Sequence, residues 1–224
     1  MTNKELKAVL FDLDGVVLDT EPQYSIFWGA TCRRYYPELP GLENRIKGQT
    51  LTQILEGHFA SVADAHADIV AQLDDFERQM EYVYIPGFLH FIRELRRSGV
   101  ATAVVTSSNL PKMACVYQAH PEFQDLFDAV LTSEDFKESK PSPDCYLKGA
   151  VRLGVEPDEC LVCEDSFNGL RSGRAAGMAV LGLATTNPAD KISNLCDVVV
   201  PDFQNVDLPF CRALLHQHSN NQNS

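Results

Sequence analysis

Residues 7–21 read KAVLFDLDGVVLDTE. The segment 7–11, KAVLF, is a short apolar run that stops at an acidic residue, Asp12. Such a run suits a strand of a parallel sheet covered on both faces. Runs of the same kind recur at 100–106 (VATAVVT), 129–132 (AVLT), 160–163 (CLVC), 178–183 (MAVLGL) and 197–200 (DVVV). Helical patterns lie between them. Residues 88–97 are amphipathic and end at Gly99, 143–153 open with proline and close at Gly154, and 166–176 open with a capping serine and close at Gly177. Strand and helix therefore alternate from residue 88 onward, which predicts an α/β fold, a doubly wound parallel sheet.

Residues 17–84 interrupt that alternation. They hold no convincing strand, and they show helical stretches at 22–35, 51–59 and 65–84. The expected organisation is an α/β catalytic core made of residues 1–16 and 85–215, with an all-helical cap at 17–84 inserted after the first strand. The junctions, 16–21 and 84–87, are short, and Pro86-Gly87 punctuates the second. Two short linkers on one side form a hinge, so a rigid-body motion of the cap over Asp12 is expected. The tail 216–224, HQHSNNQNS, is polar and reads as disordered.

Composition narrows the partners. Lysine plus arginine total 19 against 31 aspartates and glutamates, a net charge of −12 in 224 residues, which repels a nucleic-acid backbone. Arg93, Arg96 and Arg97 form the densest basic cluster and read as a solvated helix face. No apolar run approaches the ~20 residues that span a bilayer, and the amino-terminal stretch lacks the features of a secretory signal. Seven irregularly spaced cysteines suggest reduced thiols in the cytoplasm, with Cys160 and Cys163 as buried structural thiols inside an apolar strand. The expected partner is a small molecule, with no nucleic acid and no membrane, and a monomer is favoured.

Ligands of open α/β sheets bind beyond the carboxyl ends of the strands. Those ends carry Asp12 and Asp14 with Gly15, then Thr106-Ser107-Ser108, then Lys140, then Glu164-Asp165. Each element alone is an ordinary turn, helix entry or surface lysine; their conjunction in one chain order is specific. Gathered carboxylates are costly unless a cation offsets them, and all-oxygen ligands favour Mg²⁺. Thr106 and Lys140 offer donors for an anion. A metal, an anion cradle and a free carboxylate together suit phosphoryl transfer.

The segments DLDGVVLDTE, VVTSS, KPSPDCYLKGA and CEDSFNGLRSGRAAGM resemble the four motifs of the haloacid dehalogenase superfamily, across about residues 7–200. Within it the chain is most similar to the β-phosphoglucomutase and small-molecule phosphatase group, whose Rossmann-like core carries a helical cap after the first strand. The resemblance implies that Asp12 is the nucleophile that forms an aspartyl-phosphate and that Asp14 is the general acid and base, its backbone carbonyl also binding Mg²⁺. It further implies that Thr106, Ser107 and Lys140 bind phosphate, that Asp165 ligates Mg²⁺ with Glu164 as a second or water-mediated ligand, and that Gly15 lets the chain pass close to the site. Asp14 favours phosphatase or phosphomutase chemistry over dehalogenation and ion pumping. Two cap positions depart from the mutase pattern, Tyr24 in place of histidine and Leu51 in place of arginine. The expected function is thus a Mg²⁺-dependent phosphatase for a small phosphorylated metabolite, such as a sugar phosphate, with a β-phosphoglucomutase-like sugar phosphomutase as the alternative. A phospho-acceptor receiver module, also an acidic doubly wound domain, is roughly half this length and has no such insertion. Glu21, Tyr24, Trp28, Arg45, Lys47 and Gln49 are the candidate specificity residues of the cap, although Tyr24 and Trp28, spaced i and i+4, also fit ordinary helix packing.

Overall fold

A computed structural model describes residues 4–222. Six strands, β1 (Ala8–Phe11), β2 (Ala101–Val105), β3 (Ala129–Leu131), β4 (Cys160–Glu164), β5 (Ala179–Leu183) and β6 (Val198–Val200), form one sheet. Its order is β3-β2-β1-β4-β5-β6, and every pairing is parallel. The order reverses between β1 and β4, the switch point where such sheets open a crevice.

Side chains of β1 alternate across the sheet, as a period of two requires. Val9 and Phe11 point into one layer, Ala8 and Leu10 into the other. Phe11 sits among Phe88, Phe91, Phe127 and Phe203, with ring centroids 5.6–6.1 Å apart. Burial of this aromatic cluster fixes β1 as the central strand.

The inserted helices are α1 (Glu21–Tyr35), α2 (Leu42–Arg45), α3 (Leu51–His58) and α4 (His66–Glu77), with a 3₁₀ segment over Ala60–Ala65. They bury a core of their own, including Trp28, Cys32, Ile46, Ile54, Phe59, Ile69 and Leu73. Helices α5 (Phe88–Arg97) and α6 (Leu110–Ala119) cover the Phe11 face, while α7 (Asp144–Leu153), α8 (Phe167–Ala175) and the short α9 (Ala189–Ile192) cover the opposite face.

Beyond the short helices α2 and α9, the structure departs from the sequence reading in three places. The helix expected over 65–84 stops at Glu77. Beyond it Met80 and Tyr82 are buried while Glu81 and Val83 are exposed, a period-two pattern of extended chain. The Tyr82 hydroxyl donates to the Glu77 carbonyl at 2.7 Å. The junctions then pair with each other, Asp19 N–H donating to Val83 O at 2.8 Å and Ile85 N–H to Val17 O at 3.0 Å. Val17, Leu18, Met80 and Tyr82 accordingly pack in the core layer. The second departure is α6, which the sequence reading passed over; Asn109 caps it by accepting from Lys112 N–H at 3.0 Å.

The third is the tail, expected to be disordered from residue 216. Helix α10 (Leu208–Gln222) runs through most of it; residues 223 and 224 lie outside the described residues. Cys211, Leu214, Leu215 and His218, spaced i, i+3, i+4 and i+7, are all buried, and His218 Nδ1 lies 3.0 Å from Asp197 Oδ1. One histidine among polar residues thus carries the amphipathic stripe into a tail whose composition reads as solvated. Among the described residues no helix is long and apolar enough to cross a membrane.

Candidate active site

Register places the site. Phe11 pairs with Val104 on β2 and with Cys163 on β4, so the residues that follow these strands emerge side by side. Asp12 N–H extends the ladder to Cys163 O at 3.0 Å and brings Asp12 level with Glu164. The chain then turns at Gly15, with φ +75°, and a side chain there would sit 2.2 Å from Asp165 Oδ2. Both facts demand glycine.

Lys140 lies beneath Asp12 and is only 1% exposed. Its ammonium donates to Asp12 Oδ1 at 2.5 Å, Glu164 Oε1 at 2.7 Å and Val105 O at 3.1 Å. Three donors meet three acceptors, so Lys140 is saturated behind the nucleophile position and does not line the cavity. Glu164 is saturated too. Its Oε1 also accepts from the Tyr146 hydroxyl at 3.0 Å, and its Oε2 accepts from Asp165 N–H, Ser166 N–H and the Ser166 hydroxyl at 2.9–3.1 Å. Gly169 makes room for this carboxylate, since a Cβ there would lie 1.6 Å from Glu164 Oε1.

Asp165 has no such compensation. It is 1% exposed, and its Oδ1 has no hydrogen-bond partner. Oxygens of Asp12, Glu164 and Asp165 all lie within 4.8 Å of one another. Burial, together with Glu164, Asp12 and Glu21, holds the Asp165 carboxyl well above the usual carboxylate range. Burial likewise pushes Asp12 up to about 7, against the pull of Lys140. An orphaned buried carboxylate oxygen beside two further carboxylates is a donor set that fits a hard divalent cation.

The cost of that arrangement is testable. Replacing Asp165 by Asn removes a buried carboxyl whose ionisation no cation offsets. Asp165→Asn is expected to stabilise the metal-free protein by about 1–3 kcal/mol, several degrees in Tm. Because the raised native pKa keeps the wild-type carboxyl protonated in the fold while the unfolded carboxyl ionises from about 3.8, the gain should grow as pH rises above that value and level off where the native group itself ionises. Thermal melts in EDTA across pH check this, and a variant that melts lower than wild type throughout would contradict it.

The remaining predicted residues surround one cavity. Asp12, Asp14, Thr106, Ser107 and Asp165 form its floor on the core side, and Glu21, Tyr24, Trp28, Lys47 and Gln49 its cap side. Thr106 Oγ1 accepts from Ser108 N–H at 3.0 Å, leaving its own proton free to donate. The Ser107 hydroxyl donates to Gly48 O at 3.3 Å, a direct contact between core and cap. Lys47 Nζ stands 3.2 Å from Glu21 Oε2, although that oxygen forms no hydrogen bond. Arg45 does not join them: it is exposed and lies outside the cavity, with its carbonyl held by Gln49 Nε2 at 3.0 Å. Nor does the Asp14 side chain join the carboxylate cluster. Its Oδ1 accepts from Lys112 and from the Thr20 hydroxyl, and its Oδ2 from the Ser108 hydroxyl at 2.9 Å.

Lys112, Glu77 and Thr20 carry no signal that singles them out in the sequence, and Ser108 is read there only as the last hydroxyl of the run after β2. Lys112 is one lysine among many until α6 is recognised as the helix that follows the Thr106 loop. Glu77 is buried on the last turn of α4, where burial raises its carboxyl and Lys112 pulls it back down.

Comparison with known proteins agrees with this geometry. A model of the haloacid dehalogenase-like hydrolases matches residues 6–177. Hexitol phosphatase A of Escherichia coli is 34% identical over 82% of this chain and 85% of its own. A probable pseudouridine-5'-phosphatase of Drosophila melanogaster is 30% identical over 81% of this chain and 84% of its own. The crystal structure of CbbY from Rhodobacter sphaeroides in complex with phosphate superposes with a TM-score of 0.73 at 25% identity, covering 92% of this chain and 98% of that one. The chain therefore belongs to the haloacid dehalogenase-like hydrolases, and within that family it is a phosphoric monoester hydrolase.

Proposed function

We propose that the protein is a Mg²⁺-dependent phosphatase that hydrolyses a sugar or polyol monophosphate through an aspartyl-phosphate on Asp12. The observation that carries this reading is the pairing of buried Asp12 with saturated Lys140 beside the orphaned Asp165 oxygen, with Asp14 facing the same cavity. Asp12 attacks phosphorus as the bond to the leaving oxygen breaks, and Asp14 delivers a proton to that oxygen. Asp14 then accepts a proton from the water that attacks phosphorus, and inorganic phosphate and free Asp12 are released. Thr106 and Ser107 orient the phosphoryl oxygens, while the charge of Lys140 acts across Asp12. Asp12, Asp165 and the Asp14 main-chain carbonyl would hold the metal, with Glu164 behind them. Bound Mg²⁺ supplies neutralisation of phosphoryl charge, which lowers its repulsion with the attacking carboxylate.

The cap supports hydrolysis over the mutase alternative. Among the described residues lining the cavity Lys47 alone is basic, and Glu21 Oε2 stands 3.2 Å from it. A bisphosphate would place a second dianion against a wall that also carries Glu43 and Glu77. The two phosphatase relatives point to a hydroxyl-rich leaving group.

A screen of phosphate esters for released inorganic phosphate, with Mg²⁺ and in EDTA, tests the reading. Phosphate release that needs Mg²⁺ and no bisphosphate activator is expected; isomerisation with phosphate conserved would install the mutase instead. Within the screen, Lys47→Ala is expected to raise KM about tenfold or more for the best substrate and to reorder substrate preference, as loss of a charged hydrogen bond does. Arg45→Ala should leave KM within about twofold, since exposed side chains away from a site contribute little. An equal change on every ester with Lys47→Ala, or a shifted Mg²⁺ requirement, would refute a selecting cap.

A further inference from the structure

Lys112 breaks two rules of local stability. It lies in the first turn of α6, where the helix dipole disfavours a cation, and it is only 2% exposed. Sites that violate local rules without an evident structural return are where function is expected.

What surrounds Lys112 indicates the return. Its ammonium meets Asp14 Oδ1 and lies 4.5 Å above the ring centre of Tyr24. Tyr24 is fixed in turn, its hydroxyl donating to Glu77 Oε1 at 2.7 Å. Lys112 and Asp14 belong to the core, whereas Tyr24 and Glu77 belong to the cap helices α1 and α4. Thr20 at the amino end of α1 makes no side-chain cap to its helix and gives its hydroxyl to Asp14 instead. The Asp14 carboxylate is thereby gripped by three donors, and the charged one is itself confined by the seated cap.

We propose that Lys112 is a positioning residue: it fixes the Asp14 carboxylate for proton transfer to the leaving oxygen, and the cap holds Lys112 in place through Tyr24 and Glu77. The proposal rests on the acid–base role given to Asp14 above. Lys112 does not line the cavity, so it reaches the leaving oxygen only through Asp14.

A positioning role through a proton donor leaves a chemical signature. An alkoxide leaves only with a proton, whereas p-nitrophenolate departs without one. The experiment measures kcat/KM for the alkyl phosphate turned over fastest in the screen above and for p-nitrophenyl phosphate, on wild type, Asp14→Asn, Lys112→Met, Lys112→Gln and the double variant Asp14→Asn/Lys112→Met. Asp14→Asn is expected to lose about 100-fold more on the alkyl ester than on p-nitrophenyl phosphate. Lys112→Met should show the same bias, at least about tenfold, with Lys112→Gln in between. The double variant should fall within about threefold of Asp14→Asn alone, as expected for residues acting on one step. The ratio of two esters on one preparation does not depend on the fraction folded, so a destabilised variant still gives a result. Equal losses on both esters in the Lys112 variants, or losses that multiply in the double variant, would overturn the proposal while leaving Asp14 as acid–base. Absence of the ester bias in Asp14→Asn itself would instead overturn the acid–base reading, and the proposal with it.

Discussion

Asp12→Asn is expected to fold and to lose phosphate release by about 10⁴-fold or more. An amide cannot form the acyl-phosphate, and loss of a covalent nucleophile removes a whole route, not one contact. The substitution is isosteric, and Lys140 keeps Glu164 Oε1 at 2.7 Å and Val105 O at 3.1 Å as partners, so the floor of the site should persist. A second readout comes from stability. The Asp12 carboxyl is raised from 3.8 to about 7 in the fold, so the native state binds more protons than the unfolded chain between those values. Stability of the metal-free wild type should therefore fall as pH rises from about 4 to about 7, and Asp12→Asn should lose that part of the slope. Phosphate release near the wild-type rate would refute the nucleophile. An unchanged pH slope in denaturant titrations would refute the burial argument.

Lys140→Met is expected to damage both stability and activity. The side chain it replaces is 1% exposed and offsets two buried carboxylates. Removing one partner of a buried ion pair costs about 3–5 kcal/mol, because the charge left behind is uncompensated. For a chain of this size that is a fall in Tm of roughly 6–20 °C. Asp12 should then hold its proton to still higher pH, since the pull that opposes its burial is gone. A protonated carboxyl is no nucleophile, so turnover should drop by about 10³-fold even in the folded fraction. Circular dichroism melts and phosphate release on the same preparation separate the two effects. A variant that melts within two or three degrees of wild type would show that Lys140 is not the counter-ion of the site.

Much of the fold was legible in the sequence because its signals are local. Each apolar run stops where a strand leaves the covered sheet, and each run is a strand to within a residue or so at either end. A continuous apolar run needs only its own residues to be recognised. The insertion was legible as well, since a helical block between two strands cannot pair with the sheet. Errors fell where two periods compete or where composition stands in for packing. Residues 78–84 continue a helical pattern on paper, yet Met80 and Tyr82 bury alternately and the junctions pair. The tail 216–222 is polar on average, yet Cys211, Leu214, Leu215 and His218 form one buried stripe.

The sequence by itself determined the parallel α/β core, the helical insertion and the line of Asp12, Asp14, Thr106 and Asp165 at the strand ends, with Lys140 in the loop after β3. Parallel strands place their carboxyl ends at one edge whatever the loops do, so strand-end residues converge without further information. Only the tertiary structure decided how those residues divide the work: Lys140 and Glu164 saturated behind the cavity, Asp165 left with an unpaired oxygen, and Arg45 outside. It also decided that Lys112 of one helix meets Asp14 of the first strand's loop, under Tyr24 and Glu77 of the cap. Those contacts join residues as many as 98 positions apart, and no local periodicity encodes which side chain of a helix reaches which loop across two domains.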